Sequence, residues 1–370
     1  MRIKRDFIGM FDVFKGILLL LVTLAHTSGF VGLVEGRTDG GGIVRIYGLM
    51  PIAAFFMISG YSFRRERSWT GYLKRQVKSL LIPYFMVPVI AILFRLVLYT
   101  VMGREVLDWI IGTILGFLWG ATQPMELLGL PVATVGAMWF LPTLFLGGVL
   151  HQAVMRVAND KGRCLLLWSI VLAGACVPSQ VAIRLPWFLT QSCTCLGYLE
   201  LGRLIKAHKL LHVRVRPVIA AVAVGAAALL AVFFQTGSDA SLWANIWTYG
   251  ALDYFGSALI AVVLFRLYLR TGLAAAKLAQ PLAYIGRYSL YFLTLHGLEL
   301  VALPWGNDAA ALFSMSGLSG WGLLLLIWSA RSVAALLGCA VINRIQSCIR
   351  RHAKRGHGFD ESKNNESTES

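Results

Sequence analysis

The chain has 370 residues, of which 57% are hydrophobic and 14% are charged, and its formal net charge is +16. Soluble globular domains carry about 25% charged residues, so this chain has too little polar surface to enclose a soluble core. The basic residues cluster between apolar segments, so orientation in a membrane explains the net charge, and no nucleic-acid partner is expected.

The N-terminus begins with three basic residues, Arg2, Lys4 and Arg5, and an apolar run follows. A signal peptide starts in the same way, but residues 29–42 have the character of a loop and contain no small-residue cleavage site. We therefore interpret residues 8–30 as the first membrane span.

Further apolar segments follow along the chain, and a bilayer-spanning helix needs about 20 residues of this kind. These runs do not alternate apolar and polar positions, which excludes the pattern of a membrane β-barrel. In chain order the predicted spans are 8–30, 43–63, 79–102, 135–155, 164–183, 187–204, 217–236, 246–266, 282–303 and 320–342. The pattern predicts an all-α, polytopic membrane helical bundle with about ten transmembrane helices.

Most basic residues lie in alternating loops between these spans, as the positive-inside rule requires. Both termini are therefore expected in the cytoplasm, with the protein in the inner (cytoplasmic) membrane. Residues 107–134 contain another apolar stretch, Trp109–Met125, whose crossing would reverse every later basic loop. Because Pro124, Gly129 and Pro131 break helices, this stretch is predicted to be a re-entrant or interfacial segment on the outer side.

The chain is expected to comprise one transmembrane domain and a short tail, with cysteines that have no metal-binding or disulfide role. Residues 1–350 are predicted to form one transmembrane domain and residues 351–370 a cytoplasmic disordered tail, since Phe359–Ser370 is polar and rich in Ser, Asn and Glu. The six cysteines lack paired metal-ligand spacing, with Cys193 and Cys195 as the one close pair. Neither a metal site nor a disulfide framework is predicted.

The first span carries three ionisable residues, Asp12, Lys15 and His26, in an otherwise apolar helix. An ionisable side chain near the centre of such a helix costs about 2.5–3.5 kcal/mol, so each needs a reason. Eleven residues turn a helix through about 1100°, which places Lys15 and His26 on one face, about 16 Å apart along the axis. Asp12 precedes Lys15 by three positions and shares that face. The alternative is a snorkelling lysine with an interfacial histidine. We interpret the stripe as functional, with His26 as a general base.

A second cluster follows the end of the second span, on the predicted cytoplasmic side. Its basic residues are Arg64, Arg65, Arg67, Lys74, Arg75 and Lys78, with Glu66 as the acidic partner. Guanidinium groups match phosphate oxygens in pairs, so the cluster is a candidate site for a phosphorylated ligand. Orientation and contact with anionic lipid require the same charges, and that interpretation stays open.

Four segments of the chain carry a family likeness in the correct order. They are Phe11–Ile17 followed by His26, Phe55–Phe63 followed by Leu81–Tyr84, Trp139–Leu141, and Ser289–His296. Together they resemble the acyltransferase 3 superfamily of integral membrane O-acyltransferases, which includes fucose O-acetylase-like and polysaccharide acetyltransferases. This chain has Lys15 where the family more often has Arg, so a point charge replaces a bidentate fork.

The resemblance implies transfer of an acyl group, expected to be acetyl, from cytoplasmic acyl-CoA to a hydroxyl of a cell-envelope sugar or lipid-linked sugar. The CoA phosphates would bind the basic cluster, at Arg64, Arg65, Arg67, Lys74 and Arg75. His26 would deprotonate the acceptor, with Lys15 and Asp12 beside it.

Attack on the thioester creates a tetrahedral oxyanion, which needs aimed hydrogen-bond donors. The candidates for contact with the oxyanion or the acceptor are Ser59, Tyr61, Trp139 and His296. An acyl-His26 intermediate is the alternative mechanism, because imidazole can itself be a nucleophile.

Two other classes of protein stay open at this point. A transporter or flippase for polysaccharide or lipid-linked sugar would also have many helices, intramembrane charges and Gly or Pro interruptions. Such carriers commonly contain internal repeats, and no obvious repeat joins the two halves of this chain. A purely structural membrane protein is disfavoured by the stripe of Lys15 and His26.

Overall fold

The protein is an all-α polytopic helical bundle, as its composition predicts. The computed structural model describes residues 9–34, 43–64, 68–103, 105–123, 125–157, 160–176, 185–271, 279–303, 317 and 320–366. Its helices are α1 (Asp12–Val34), α2 (Ile43–Tyr61), α3 (Trp69–Gln76), α4 (Ile82–Met102), α5 (Leu107–Trp119), α6 (Phe140–Val157), α7 (Asp160–Cys176), α8 (Leu189–Ala207), α9 (Pro217–Gly237), α10 (Ala251–Arg270), α11 (Gln280–Arg287), α12 (Ser289–Ala302) and α13 (Gly320–Glu366). Short 3₁₀ turns precede α6 (Gly136–Trp139) and α8 (Pro186–Phe188), and strands β1 (Met125–Leu127) and β2 (Leu130–Val132) form an antiparallel hairpin.

Several described helices are long and apolar enough to cross a membrane. These six segments are Asp12–Gly32, Trp69–Met102, Gly136–Val157, Pro217–Phe234, Ala251–Arg270 and Gly320–Ile349. Shorter apolar helices cover Leu49–Tyr61, Leu107–Trp119, Gly162–Cys176 and Ser289–Ala302. Helix α8 meets neither description because it carries Glu200, Arg203 and Lys206. Each predicted span overlaps a helix, and the number of crossings stays a prediction.

Two predicted helix boundaries differ from the structure in the second half of the chain. Helix α10 begins at Ala251 rather than at residue 246, because the chain first turns through Gly250, whose φ is 55°. The predicted span 282–303 is divided at Tyr288, where φ is −100° and ψ is 28°. The apolar character of both segments was visible in the sequence, but the breaks are local backbone turns.

The start of one helix and the end of another also differ from the prediction. The helix that contains the third predicted span starts at Trp69 rather than at residue 79, so Lys74 and Arg75 lie on a helix. At the C-terminus, α13 continues to Glu366, so residues 351–366 extend a helix where a disordered tail was predicted. Residues such as alanine, lysine and arginine in this segment have high helix propensity.

Helices α1 and α11 pack backbone against backbone. A Cβ atom on Gly16 would overlap the carbonyl oxygen of Leu282, and one on Gly286 would overlap the carbonyl oxygen of Asp12. Small residues allow this close approach of membrane helices, where van der Waals packing drives association. The contact fixes the turn of α1 that carries Asp12 and Lys15.

A π turn, Val77–Leu81, interrupts the long helix between α3 and α4. The Ile82 N–H donates to the carbonyl of Val77, five residues earlier. Pro83 has no N–H to offer the carbonyl of Ser79, which removes one α-helical hydrogen bond at this point. Such turns inside α-helices are frequent at functional sites.

The segment between α4 and α6 folds back on itself. Helix α5 has 13 residues, which span about 20 Å, whereas the hydrocarbon core of a bilayer is about 30 Å thick. After the hairpin, the Ala133 N–H donates to Gly112 O at 2.9 Å, and the Val135 N–H donates to Ala121 O at 3.0 Å. This geometry agrees with a re-entrant or interfacial segment, and the side of the membrane stays a prediction.

Basic side chains from several helices gather at one end of the bundle, which we call the basic end. It comprises Arg64, Lys74, Arg75, Arg156, Arg203 and Lys206. The Phe63 ring packs on His151 of α6 at a centroid distance of 4.4 Å, and the Arg156 guanidinium lies 5.0 Å from the centroid of Trp69. These contacts bring the ends of α2 and α6 together with the start of α3.

Candidate active site

A cavity of about 320 Å³ lies inside the bundle between α1, α2, α6, α12 and the π turn. Helix α1 lines it with Lys15, Leu19, Val22 and His26, which follow one another at helical spacing. The remaining wall is mainly apolar, with a few hydroxyl groups. A mostly apolar cavity with a small number of convergent polar groups is typical of a ligand site. Lys15 and His26 therefore line one cavity, as their spacing predicts.

Lys15 lies near the basic end and forms an ion pair. Its Nζ is 2.9 Å from Oδ1 of Asp12, whose side chain is 5% exposed. The Nε of Arg287, an exposed residue at the end of α11, lies 3.6 Å from the other carboxylate oxygen. Asp12 therefore holds Lys15 at the cavity wall and does not itself line the cavity.

His26 occupies the wall about three turns further along α1. Among the described residues its ring has no hydrogen-bond partner. The ring of His296 in α12 lies beside it, with a centroid distance of 5.2 Å and an interplanar angle of 58°. The sequence predicts His26 as the base, and the structure adds a second imidazole next to it.

His296 belongs to a polar network that joins three helices. Its Nδ1 lies 3.0 Å from Oε1 of Glu299, one turn further along α12. Arg331 of α13 donates to the same oxygen through Nε at 2.8 Å and through a terminal nitrogen at 2.5 Å. Its other terminal nitrogen donates to the hydroxyl of Thr27 at 3.0 Å. The network thus ties α12 and α13 to the turn of α1 that carries His26.

The four candidate oxyanion contacts lie in different surroundings. Ser59 and Trp139 line the cavity, and Ser59 donates its proton to Phe55 O at 3.0 Å. Trp139 has no hydrogen-bond partner among the described residues, so its indole N–H is the better candidate donor. Tyr61 is buried against Phe11 at a centroid distance of 5.4 Å, outside the lining.

His296 also lies outside the cavity lining, one layer behind His26, with 2% of its surface exposed. Its Nδ1 is engaged by Glu299. A role as oxyanion donor therefore has little support from its position.

The basic cluster lies at the basic end in part. Arg64, Lys74 and Arg75 are exposed there, whereas Arg65 and Arg67 lie outside the described residues. Lys206, beyond the predicted span in the last turn of α8, joins them. Burial and the neighbouring Arg64 guanidinium lower the pKa of its ammonium group, as a like charge does. Crowded cations of this kind favour an anionic ligand.

Glu299 and Arg331 join the site in the structure, although the sequence did not lead us to place them there. The spacing of His296 and Glu299, three residues apart on one helix, was the available signal.

A similar network joins His151, which is fully buried, to Glu200 at 2.9 Å, and Arg203 pairs with the same carboxylate. It packs α6 against α8 near the basic end.

The fold and the cavity define a class of protein. Intramembrane ionisable groups that face a cavity rather than lipid mark a membrane-embedded functional site. Residues 8–344 match the acyltransferase domain family known as acyltransferase 3, so the chain belongs to this family and is a membrane acyltransferase. No curated protein and no solved structure matches the chain.

Proposed function

We propose that the protein transfers an acyl group, expected to be acetyl, from cytoplasmic acyl-CoA to a hydroxyl of a cell-envelope sugar or lipid-linked sugar. The observation that carries the proposal is the cavity whose wall runs from Lys15, near the basic end, to His26. A charged mouth and a base deep in an apolar cavity suit a donor with an anionic head and a thioester at the end of a long arm.

The donor would enter at the basic end. The positive-inside rule supports a cytoplasmic position for that end of the bundle, in the inner membrane, with both termini on the same side. The CoA phosphates would contact Arg64, Lys74 and Arg75, together with Arg65 and Arg67 of the intervening segment. The arm would then pass Lys15 and follow α1 over the roughly 16 Å to His26.

His26 would act as the general base at the end of the cavity away from the basic end. It takes the proton of the acceptor hydroxyl while the oxygen bonds to the thioester carbonyl carbon. The indole N–H of Trp139 is the candidate donor to the resulting oxyanion. When the intermediate collapses, the C–S bond breaks and the CoA thiolate takes the proton from His26. An acyl-His26 route remains the alternative, because imidazole can itself be a nucleophile and His26 lines the cavity without a hydrogen-bond partner among the described residues.

The substitution His26→Gln tests this proposal most sharply. Glutamine retains size and hydrogen-bonding capacity but does not accept a proton at neutral pH. Positioned general bases contribute about 10²–10⁴-fold, so transfer should fall by that factor with normal expression. His212→Gln, at an exposed histidine in the loop after α8, is the matched control and should keep wild-type activity.

Activity can be followed in membranes with radiolabelled acetyl-CoA as donor and the envelope glycans of the same membranes as acceptor. Wild-type protein should release CoA and label the glycans, and mass spectrometry of the glycans should show the added acyl groups. A His26→Gln rate within a few-fold of wild type would refute both mechanisms. Absence of CoA release by the wild type would instead favour the alternative function, a transporter or flippase for polysaccharide or lipid-linked sugar.

A further inference from the structure

We propose that His296 is a positioning residue that accepts a hydrogen bond from His26 when His26 carries the proton, with Glu299 and Arg331 holding His296 in the required form. The proposal rests on the proposed acyl transfer, and it assigns a role to three residues behind the cavity wall. It concerns the turnover step rather than binding of either substrate.

The contact with Glu299 determines which nitrogen of His296 carries its proton. A carboxylate only accepts hydrogen bonds, so the Nδ1 atom, 3.0 Å from Oε1 of Glu299, must be the protonated one. In the neutral ring the Nε2 atom is then a bare acceptor. In catalytic triads a carboxylate holds the histidine in one tautomer and orientation in the same way.

The acceptor atom of His296 has no use in the resting structure. Nε2 is buried and has no hydrogen-bond partner among the described residues. An unsatisfied buried polar atom destabilises the fold, so its presence needs an explanation. The neighbouring polar ring is that of His26, at a centroid distance of 5.2 Å. Two imidazoles joined by a hydrogen bond have centroids roughly 5 Å apart, so the separation of the two rings suits such a bond.

Two opposite charges lie beside the pair of histidines. From α1 the pair meets the Thr27 hydroxyl, from α12 the Glu299 carboxylate, and from α13 the Arg331 guanidinium. Met138, from the 3₁₀ turn before α6, packs beside Gly297 and adds no charge. Because the Glu299 and Arg331 charges offset each other, the hydrogen bond to Nε2 of His296 is what would stabilise the protonated His26 ring, and Arg331 keeps the Glu299 carboxylate in place.

The resulting step balances without any further reactant. His26 takes the hydroxyl proton on one ring nitrogen, and its other N–H donates to Nε2 of His296. The new C–O bond forms and the C–S bond breaks, after which the thiolate takes the proton back from His26. His296 keeps its own proton on Nδ1 throughout, so the pair returns to its starting state.

The substitution His296→Asn separates this role from packing. The Asn side-chain N–H₂ can replace the Nδ1–H donated to Glu299, but nothing replaces Nε2. The rate at saturating acetyl-CoA should fall between about 10- and 10⁴-fold, the range seen when an orienting partner is lost, with the apparent KM for acetyl-CoA unchanged. Thr294→Val, which removes a hydroxyl bonded to Leu290 O in the same helix, is the matched control and should leave both parameters unchanged.

Glu299→Gln provides the second variant, because it keeps an acceptor for Nδ1–H and removes the negative charge. It should lower kcat at constant KM, and it decides the matter if His296→Asn does not fold. The assay is labelling of envelope glycans in membranes by radiolabelled acetyl-CoA.

Wild-type kcat in folded His296→Asn, or a raised KM with unchanged kcat, would overturn the role of His296 while leaving the proposed acyl transfer intact. Absence of acetyl transfer by the wild-type protein would overturn the proposed function itself, and the role of His296 with it.

Discussion

Replacing Gly202 in α8 by alanine should loosen the contact between α2 and α8. A Cβ atom there would overlap the carbonyl oxygen of Met57 and lie close to the Tyr61 nitrogen. These are backbone atoms, so no side chain can rotate away to relieve the overlap. Gly60 faces the carbonyl oxygen of Leu199 in the same way, which leaves the two helices no free space to slide into.

The size of the effect follows from these contacts. Forcing an extra carbon into this packed interface should cost about 1–3 kcal/mol of folding free energy. Gly225 in α9 is the matched control, because it is exposed and a Cβ atom there meets nothing within 4 Å. Gly225→Ala should gain up to about 1 kcal/mol from helix propensity. Because both substitutions gain the same helix propensity, the two alanine variants should differ by roughly 1–3 kcal/mol.

Thermal unfolding of the purified variants in the same detergent measures this difference. Gly202→Ala should unfold at a clearly lower temperature than Gly225→Ala. Tyr61 is the last residue of α2, and Lys206 in the last turn of α8 has its ammonium nitrogen 6.0 Å from the centroid of the Tyr61 ring, so the variant should also bind acyl-CoA more weakly. Equal unfolding temperatures for the two variants would show that the interface tolerates a side chain and that the close approach is not required.

Two further predictions concern topology and the donor. Reporter fusions after Arg104 and after Pro131 should both report the outside, and a cytoplasmic signal from the second would mean that the segment between them crosses the membrane. Replacing Arg64 and Arg65 together by alanine should raise the apparent KM for acetyl-CoA with normal membrane insertion, because two phosphate contacts are lost. Arg214→Ala, which removes one positive charge from another loop, should leave KM unchanged, and an unchanged KM in the double variant would assign the cluster to orientation and lipid contact.

The spans and the stripe were predictable because both depend on local periodicity. Apolar runs of sufficient length become helices wherever lipid offers the backbone no partner. Lys15 and His26 line one cavity because eleven residues almost complete a whole number of turns. Neither prediction requires knowledge of which helices pack together.

The network behind His26 could not be predicted, because its members come from distant parts of the chain. Glu299 and Arg331 lie 32 residues apart, and Arg331 and Thr27 are 304 residues apart. Their partnership is set by how α1, α12 and α13 pack. A charge inside a span indicates that a partner exists, but only the tertiary arrangement identifies that partner.

The π turn has a consequence for the register of the long helix. Tyr72 and Tyr84 are both buried, at 3% and 1% exposure. Twelve residues of regular α-helix advance by about 1200°, which would leave these rings about 120° apart. The π turn absorbs one extra residue, so the advance is close to 1100° and the rings differ by only about 20°.

One inserted residue thus works as a phase correction. It lets a single continuous helix point Tyr72 towards Gly148 of α6 and Tyr84 towards the carbonyl of Phe117 in α5, which its hydroxyl contacts at 2.8 Å. The same extra residue carries Ser79 and Leu80 to the cavity wall. Without it, one half of the helix would have its packing face turned towards lipid.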